Sequence, residues 1–214
     1  MCIRDRLGVL TSGCNNEQTP DRSFVCAYYF PDYIGIRSCD SIDVVFGLFG
    51  KNVSYGPLYD KLCEENNDMT YNGFHNASGP VTCLASGLDY MAVVALDDFD
   101  SDHPAGSDVS DLVECVFESV AEFINNNYQR FPYDMDDSPY IEEYRGYNFV
   151  EPSGFYRLKR YKVSEINNEN TYMAATYNWL LRFLNYPDSV GEHRFRLSIK
   201  TEDKEVIKTF TCDF

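Results

Sequence analysis

The sequence predicts a mainly β domain: an antiparallel β-sandwich-like arrangement with one amphipathic helix, about residues 108–126, packed on it. Three observations predict this. Short runs rich in Val, Ile and aromatic residues recur between clusters of Gly, Asp, Asn and Ser. Near the end, Phe195, Leu197 and Ile199 alternate with Arg194, Arg196, Ser198 and Lys200, the period of a strand with one buried face. A single segment repeats its apolar residues with helical period.

In chain order, Ile34–Cys39 and Ile42–Phe49 read as the first strands. Lys51 to Pro80 reads as a long irregular stretch, with Gly56-Pro57, Asn72-Gly73 and Gly79-Pro80 as turn signals. Val81–Ser86 and Leu88–Leu96 are strands again. Val109, Leu112, Val113, Val116, Phe117, Val120, Phe123 and Ile124 then share one arc of a helical wheel, with Asp111, Glu114, Glu118 and Glu122 opposite. Ser107 or Asp108 can cap that helix by accepting a bond from a free backbone amide. Arg157 to Lys162 alternates as the solvated face of a strand. Met173–Phe183 fits either period, and its aromatic content favours strand. Glu202-Asp203-Lys204 is the turn between the last two strands, and Glu205–Phe214 places Phe210, Cys212 and Phe214 on one face.

The N-terminal region reads differently. Met1–Arg6, MCIRDR, resembles the translation of a sequencing-library adapter and is set aside. Leu7–Gly13 followed by Cys14 is similar to the end of a lipoprotein signal peptide: apolar residues, small residues, then the cysteine that takes lipid. One position departs from that pattern, since Thr11 stands where leucine is usual. The expected organisation is a signal-peptide remnant at 7–13, lipidated Cys14 and tether at 14–30, and one β-rich domain at 31–214. No stretch reaches the roughly 18 apolar residues of a membrane-spanning helix, so the membrane partner would be met through the lipid anchor.

Three pieces together resemble the exported lipoprotein domains of Bacteroides-type gut bacteria. They are the segment ending at Cys14, the run from Asp98 to Gly106 leading towards the expected helix, and Pro187–Lys200. The resemblance implies a bacterial cell-envelope location, anchored in the outer membrane with a periplasmic or surface face. It implies no activity.

Charge narrows the partners. Residues 1–150 hold 8 Lys+Arg against 25 Asp+Glu, within a net charge of −16. Nucleic acid is excluded as a partner, because phosphate neutralisation needs clustered basic residues. Other envelope proteins or glycans remain candidates. Cys26, Cys39, Cys63, Cys83, Cys115 and Cys212 are candidate disulfide cysteines, and an exported domain should form at least one bond among them. Their spacing matches no zinc or redox motif.

No catalytic signature emerges. His75, His103 and His193 lack ligand spacing, and no nucleophile elbow, phosphate loop or zinc-protease helix occurs. The chain is read as a structural or interaction protein, not an enzyme, without a cofactor. Asp98, Asp100 and Asp102 alternate as calcium ligands would. With Asp98 in the first position, however, His103 stands where an EF-hand needs glycine, and Val109 where it needs the bidentate carboxylate. The loop is expected to be a solvated turn that binds calcium weakly at most. A rival function is glycan binding through the tyrosine-rich 128–155 region, with Tyr133, Tyr140, Tyr144 and Tyr147 as contacts. Packing of that loop onto the domain is the plainer expectation.

Overall fold

The computed structural model describes residues 23–71, 81–130, 144, 147, 149, 154–202 and 204–214. It is mainly β, with two packed sheets. The strands are β1 (Val25–Asp40), β2 (Asp43–Val53), β3 (Val81–Leu84), β4 (Tyr90–Ala95), β5 (Val113–Ser119), β6 (Arg157–Lys162), β7 (Ala174–Phe183), β8 (Glu192–Lys200) and β9 (Glu205–Asp213). The helices are α1 (Pro57–Glu65) and α2 (Ala121–Asn125).

The larger sheet runs β2-β1-β3-β7-β5-β6, and a further β2–β7 pairing closes a circuit through β1 and β3. The smaller sheet runs β4-β8-β9. Alternation along the strands explains how they pack. Val44, Phe46 and Leu48 of β2, Cys115 and Phe117 of β5, and Leu181 and Phe183 of β7 face inward. They meet Val93, Phe195, Leu197, Phe210 and Cys212 of the smaller sheet. Trp179 is fully buried among them, stacked on Phe117 at 4.4 Å between centroids, and its indole N–H donates to the Ala175 carbonyl at 2.7 Å. Satisfying that donor is what allows so large an indole into the core.

A disulfide joins the two layers. Cys39 of β1 and Cys212 of β9 are bonded, with Cα atoms 5.6 Å apart. Lys204, just before β9, also reaches Asp32 of β1 at 2.7 Å.

Three expectations are corrected. The helix expected at 108–126 is instead a short 3-10 turn at Ser110–Leu112, then strand β5, then the single-turn α2. β5 lies between β6 and β7 and is buried on both faces, so its apolar run carries no strand alternation. Val113, Cys115 and Phe117 face the smaller sheet, Val116 faces outward, and Val120, Phe123 and Ile124 fill a third cluster. Three burial directions in one run imitate a helical stripe.

The second correction concerns 51–80. Lys51–Val53 continue β2, and α1 follows, entered through Gly56 at φ +87° with Pro57 in its first turn. The third concerns the tether. Phe24, Val25 and Tyr28 are buried, so the ordered domain starts well before residue 31. The strand expectations for Ile42–Phe49, Leu88–Leu96, Met173–Phe183 and the last two strands match β2, β4, β7, β8 and β9.

β6 is an edge strand of the larger sheet, and its basic residues serve that position. Lys159 bonds Glu122, Arg157 lies 3.4 Å from the same carboxylate, and Arg160 lies 3.9 Å from Glu114. Charges on an edge strand discourage pairing with a further chain. No described helix is long and apolar enough to cross a membrane.

Candidate functional site

The acidic loop after β4 is organised by its own carboxylates. Asp98 accepts from the Ala105 amide at 2.8 Å, and Asp100 accepts from the amides of Asp102 and His103. Asp100 also bonds His103 Nδ1 at 2.7 Å. These bonds outweigh the opposing effect of desolvation and hold the Asp100 carboxyl below the usual carboxylate range. Asp97 binds Arg194 of β8 through both oxygens, at 2.6 and 3.1 Å, and accepts the Arg194 amide at 2.8 Å. Among the described residues, no group of three His, Cys, Asp or Glu side chains is placed to hold a metal ion.

The Asp97–Arg194 pair gives a measurable outcome. The guanidinium bond, followed by the amide bond, lowers the Asp97 carboxyl to about 2. A depressed folded value stabilises the fold above the unfolded carboxylate range, about pH 4, and that contribution is lost as pH falls towards 2. A carbon-13 titration of Asp97 should show a midpoint near 2, returning to the ordinary range in Arg194→Ala. An ordinary midpoint in the wild type would refute the pairing.

The tyrosine-rich region is placed in part. Tyr133 and Tyr140 lie outside the described residues. Tyr144 is 2 % exposed and packs with Val116 and Leu180 on the outer face of the larger sheet. The Arg182 guanidinium lies 4.9 Å from its ring centroid. Tyr147 donates to Asp43, and Arg182 grips the same carboxylate through two nitrogens, at 2.8 and 3.0 Å. Asp43 and Arg182 face each other across the β2–β7 ladder. Tyr144 and Tyr147 are therefore engaged by the sheet, and a ring as buried as that of Tyr144 offers no face to a solute.

Among the described residues, a cluster of titratable groups gathers where β1 begins. Asp68, fully buried, accepts the amides of Phe24 and Val25 at 2.7 and 2.8 Å and the Tyr128 hydroxyl at 3.0 Å. Tyr59 donates to the Val25 carbonyl and meets Ser23. Cys63 is buried beside them, and its thiol is pushed up first by burial and then by Asp68. Burial likewise pushes up Cys83 and Cys115. Such thiols stay protonated near neutral pH and are poor nucleophiles. The cluster closes the fold; it does not activate a group.

Of the candidate cysteines, Cys39 and Cys212 are bonded, Cys26 is an exposed thiol, and Cys63, Cys83 and Cys115 are buried thiols. Cys14 and His75 lie outside the described residues. His193 is buried, with Nε2 2.8 Å from the Ser189 carbonyl oxygen.

A surface that sequence reasoning missed lies on the outer face of the larger sheet. Gly35 of β1 and Gly47 of β2 face each other in the ladder, and the Phe49 ring lies across both. A Cβ at Gly35 would sit 2.7 Å from that ring, and one at Gly47 2.9 Å. Neither strand can carry a larger residue there without moving it. Tyr33, cross-strand from Phe49, is stacked on it at 5.4 Å and 19° and is 58 % exposed. The Arg37 guanidinium lies 5.8 Å from the Phe49 centroid and donates to Asn178 at 2.8 Å. Tyr177 of β7 is 43 % exposed, and Tyr29 receives the Asn52 amide at 3.4 Å. The neighbouring Tyr29, ahead of burial, raises the Tyr177 hydroxyl. A sequence signal existed: glycines at 35 and 47, each two residues from an aromatic that would share its face.

Searches for a matching family model, a similar curated protein and a similar solved structure each return no match.

Proposed function

We propose that this chain is the body of a lipid-anchored bacterial envelope protein whose work is binding and not catalysis. The observation that carries this reading is the exposed aromatic face of β1, β2 and β7. The Tyr33 and Tyr177 rings are left about half in solvent, and Tyr33 is backed by Phe49, which lies across the facing glycines 35 and 47. Rings held in place before a partner arrives lose little freedom on binding it, which favours affinity. The buried thiols and the internally bonded acidic loop, by contrast, are consumed by the fold. The anchor reading rests on the segment ending in Cys14, because lipid on that residue would hold the domain at a membrane surface.

Two measurements test this. Expressed behind a complete signal sequence, the chain should enter the membrane fraction with acyl chains on Cys14, and Cys14→Ser should abolish the acylation. An intact peptide spanning Gly13-Cys14 in soluble wild-type protein would defeat the anchor reading. The unlipidated Cys14→Ser form should be retained by isolated envelope material, and Tyr33→Ala with Tyr177→Ala should remove most of that retention. Retention indifferent to both tyrosines would defeat the binding reading.

A further inference from the structure

We infer that the aromatic face is a platform for an uncharged oligosaccharide built of pyranose units. This inference rests on the binding reading above and names its ligand class. A pyranose has a C–H-rich face that lies against an aromatic ring and a rim of hydroxyls that needs flat, paired donors and acceptors. Both are present. Tyr33 is stacked on Phe49 at 5.4 Å and 19° and stays 58 % exposed, so its ring offers a face to a ligand. The Arg37 guanidinium lies 5.8 Å from the Phe49 centroid and donates to Asn178, and on the same strands Asn52 donates to Tyr29.

Other ligand classes fit less well. β1 has β3 as a second neighbour over Val25–Tyr29, and β2 has β7 over Asp43–Phe46. An added peptide strand would join through backbone groups at an edge, whereas the exposed groups here are side chains on the face of the sheet. The chain's net charge of −16 repels a polyanion, and Arg37 is already bonded to Asn178. Interleaved hydroxyls and amides also fit a membrane interior poorly, because each would need a partner there.

The test uses the full unlipidated chain, carrying Cys14→Ser, against an array of neutral cell-wall and plant oligosaccharides, with calorimetry on the best binder. Binding should appear, and Tyr33→Ala and Tyr177→Ala should each weaken it about tenfold or more. Both variants should melt within a few degrees of the wild type, because both side chains are exposed. Binding that survives both substitutions overturns the placement. A photo-crosslinker introduced at position 33 separates the remaining outcomes. If no saccharide binds but an envelope protein is captured through position 33, the saccharide inference fails and the binding reading stands. If neither occurs, both fail.

Discussion

Reduction of the Cys39–Cys212 bond, or Cys39→Ala with Cys212→Ala, should destabilise the fold by about 2–5 kcal/mol. The bond joins β1 of one sheet to β9 of the other, and 173 positions separate the two cysteines. Closing so long a loop removes much of the freedom of the unfolded chain, on the order of 5 kcal/mol in the chain-entropy account. It also holds together the two layers whose inner faces make the main core. For a domain of this size each kcal/mol moves the melting temperature by roughly 2–4 °C, so a fall of about 4–20 °C is expected. Urea melts with and without reductant measure it. Thiol counting should find Cys26, Cys63, Cys83 and Cys115 free before reduction, with Cys39 and Cys212 joining them afterwards. An unmoved midpoint, with the bond shown to be broken, would contradict the account.

That bond shows how far the sequence could be read. Six cysteines in an expected exported domain pointed to at least one disulfide, but pairing is a matter of three-dimensional proximity, and spacing carries no trace of it. The strands with one wet face were legible for a related reason. β8 alternates Phe195, Leu197 and Ile199 with charged and polar residues because only one of its faces meets the core. β5 was illegible because both of its faces are covered, one by the smaller sheet and one by Tyr144 and its neighbours. The period that separates strand from helix vanishes when water touches neither side.

The aromatic face was hidden in another way. Tyr29, Tyr33 and Phe49 lie on the consecutive strands β1 and β2 while Tyr177 lies far along the chain on β7, and only the β1–β2 register and the β2–β7 pairing bring the three strands together. The tyrosine-rich segment drew attention because its rings are adjacent in sequence. The described part of it, at Tyr144 and Tyr147, is turned onto the sheet and held by Arg182 and Asp43. Density along the chain is a poor guide to exposure, since amphipathic tyrosines serve packing as readily as recognition.

Asp68→Ala should cost roughly 3–5 kcal/mol, through the opening of the β1 end of the domain. The residue looked unremarkable in a polar stretch after Asn66 and Asn67, yet its carboxylate accepts the amides of Phe24 and Val25 where β1 begins. Those amides are buried, and alanine would leave both without an acceptor, at about 1–3 kcal/mol each. The Tyr128 hydroxyl would lose the same partner. Asp68→Asn keeps the shape and one acceptor, so its cost should be smaller. The pH dependence gives a second readout. Burial raises the Asp68 carboxyl despite its three bonds. A folded value above the unfolded one means that the stabilisation is fullest below the unfolded carboxylate range and declines as pH rises through the folded value. The stability advantage of wild type over Asp68→Asn should therefore be greatest in acid and shrink towards neutral pH. Amide exchange at Phe24 and Val25 should quicken in both variants, more so in Asp68→Ala. An advantage that grows with pH would mean that the three bonds outweigh burial and that the carboxylate is held as a favoured anion.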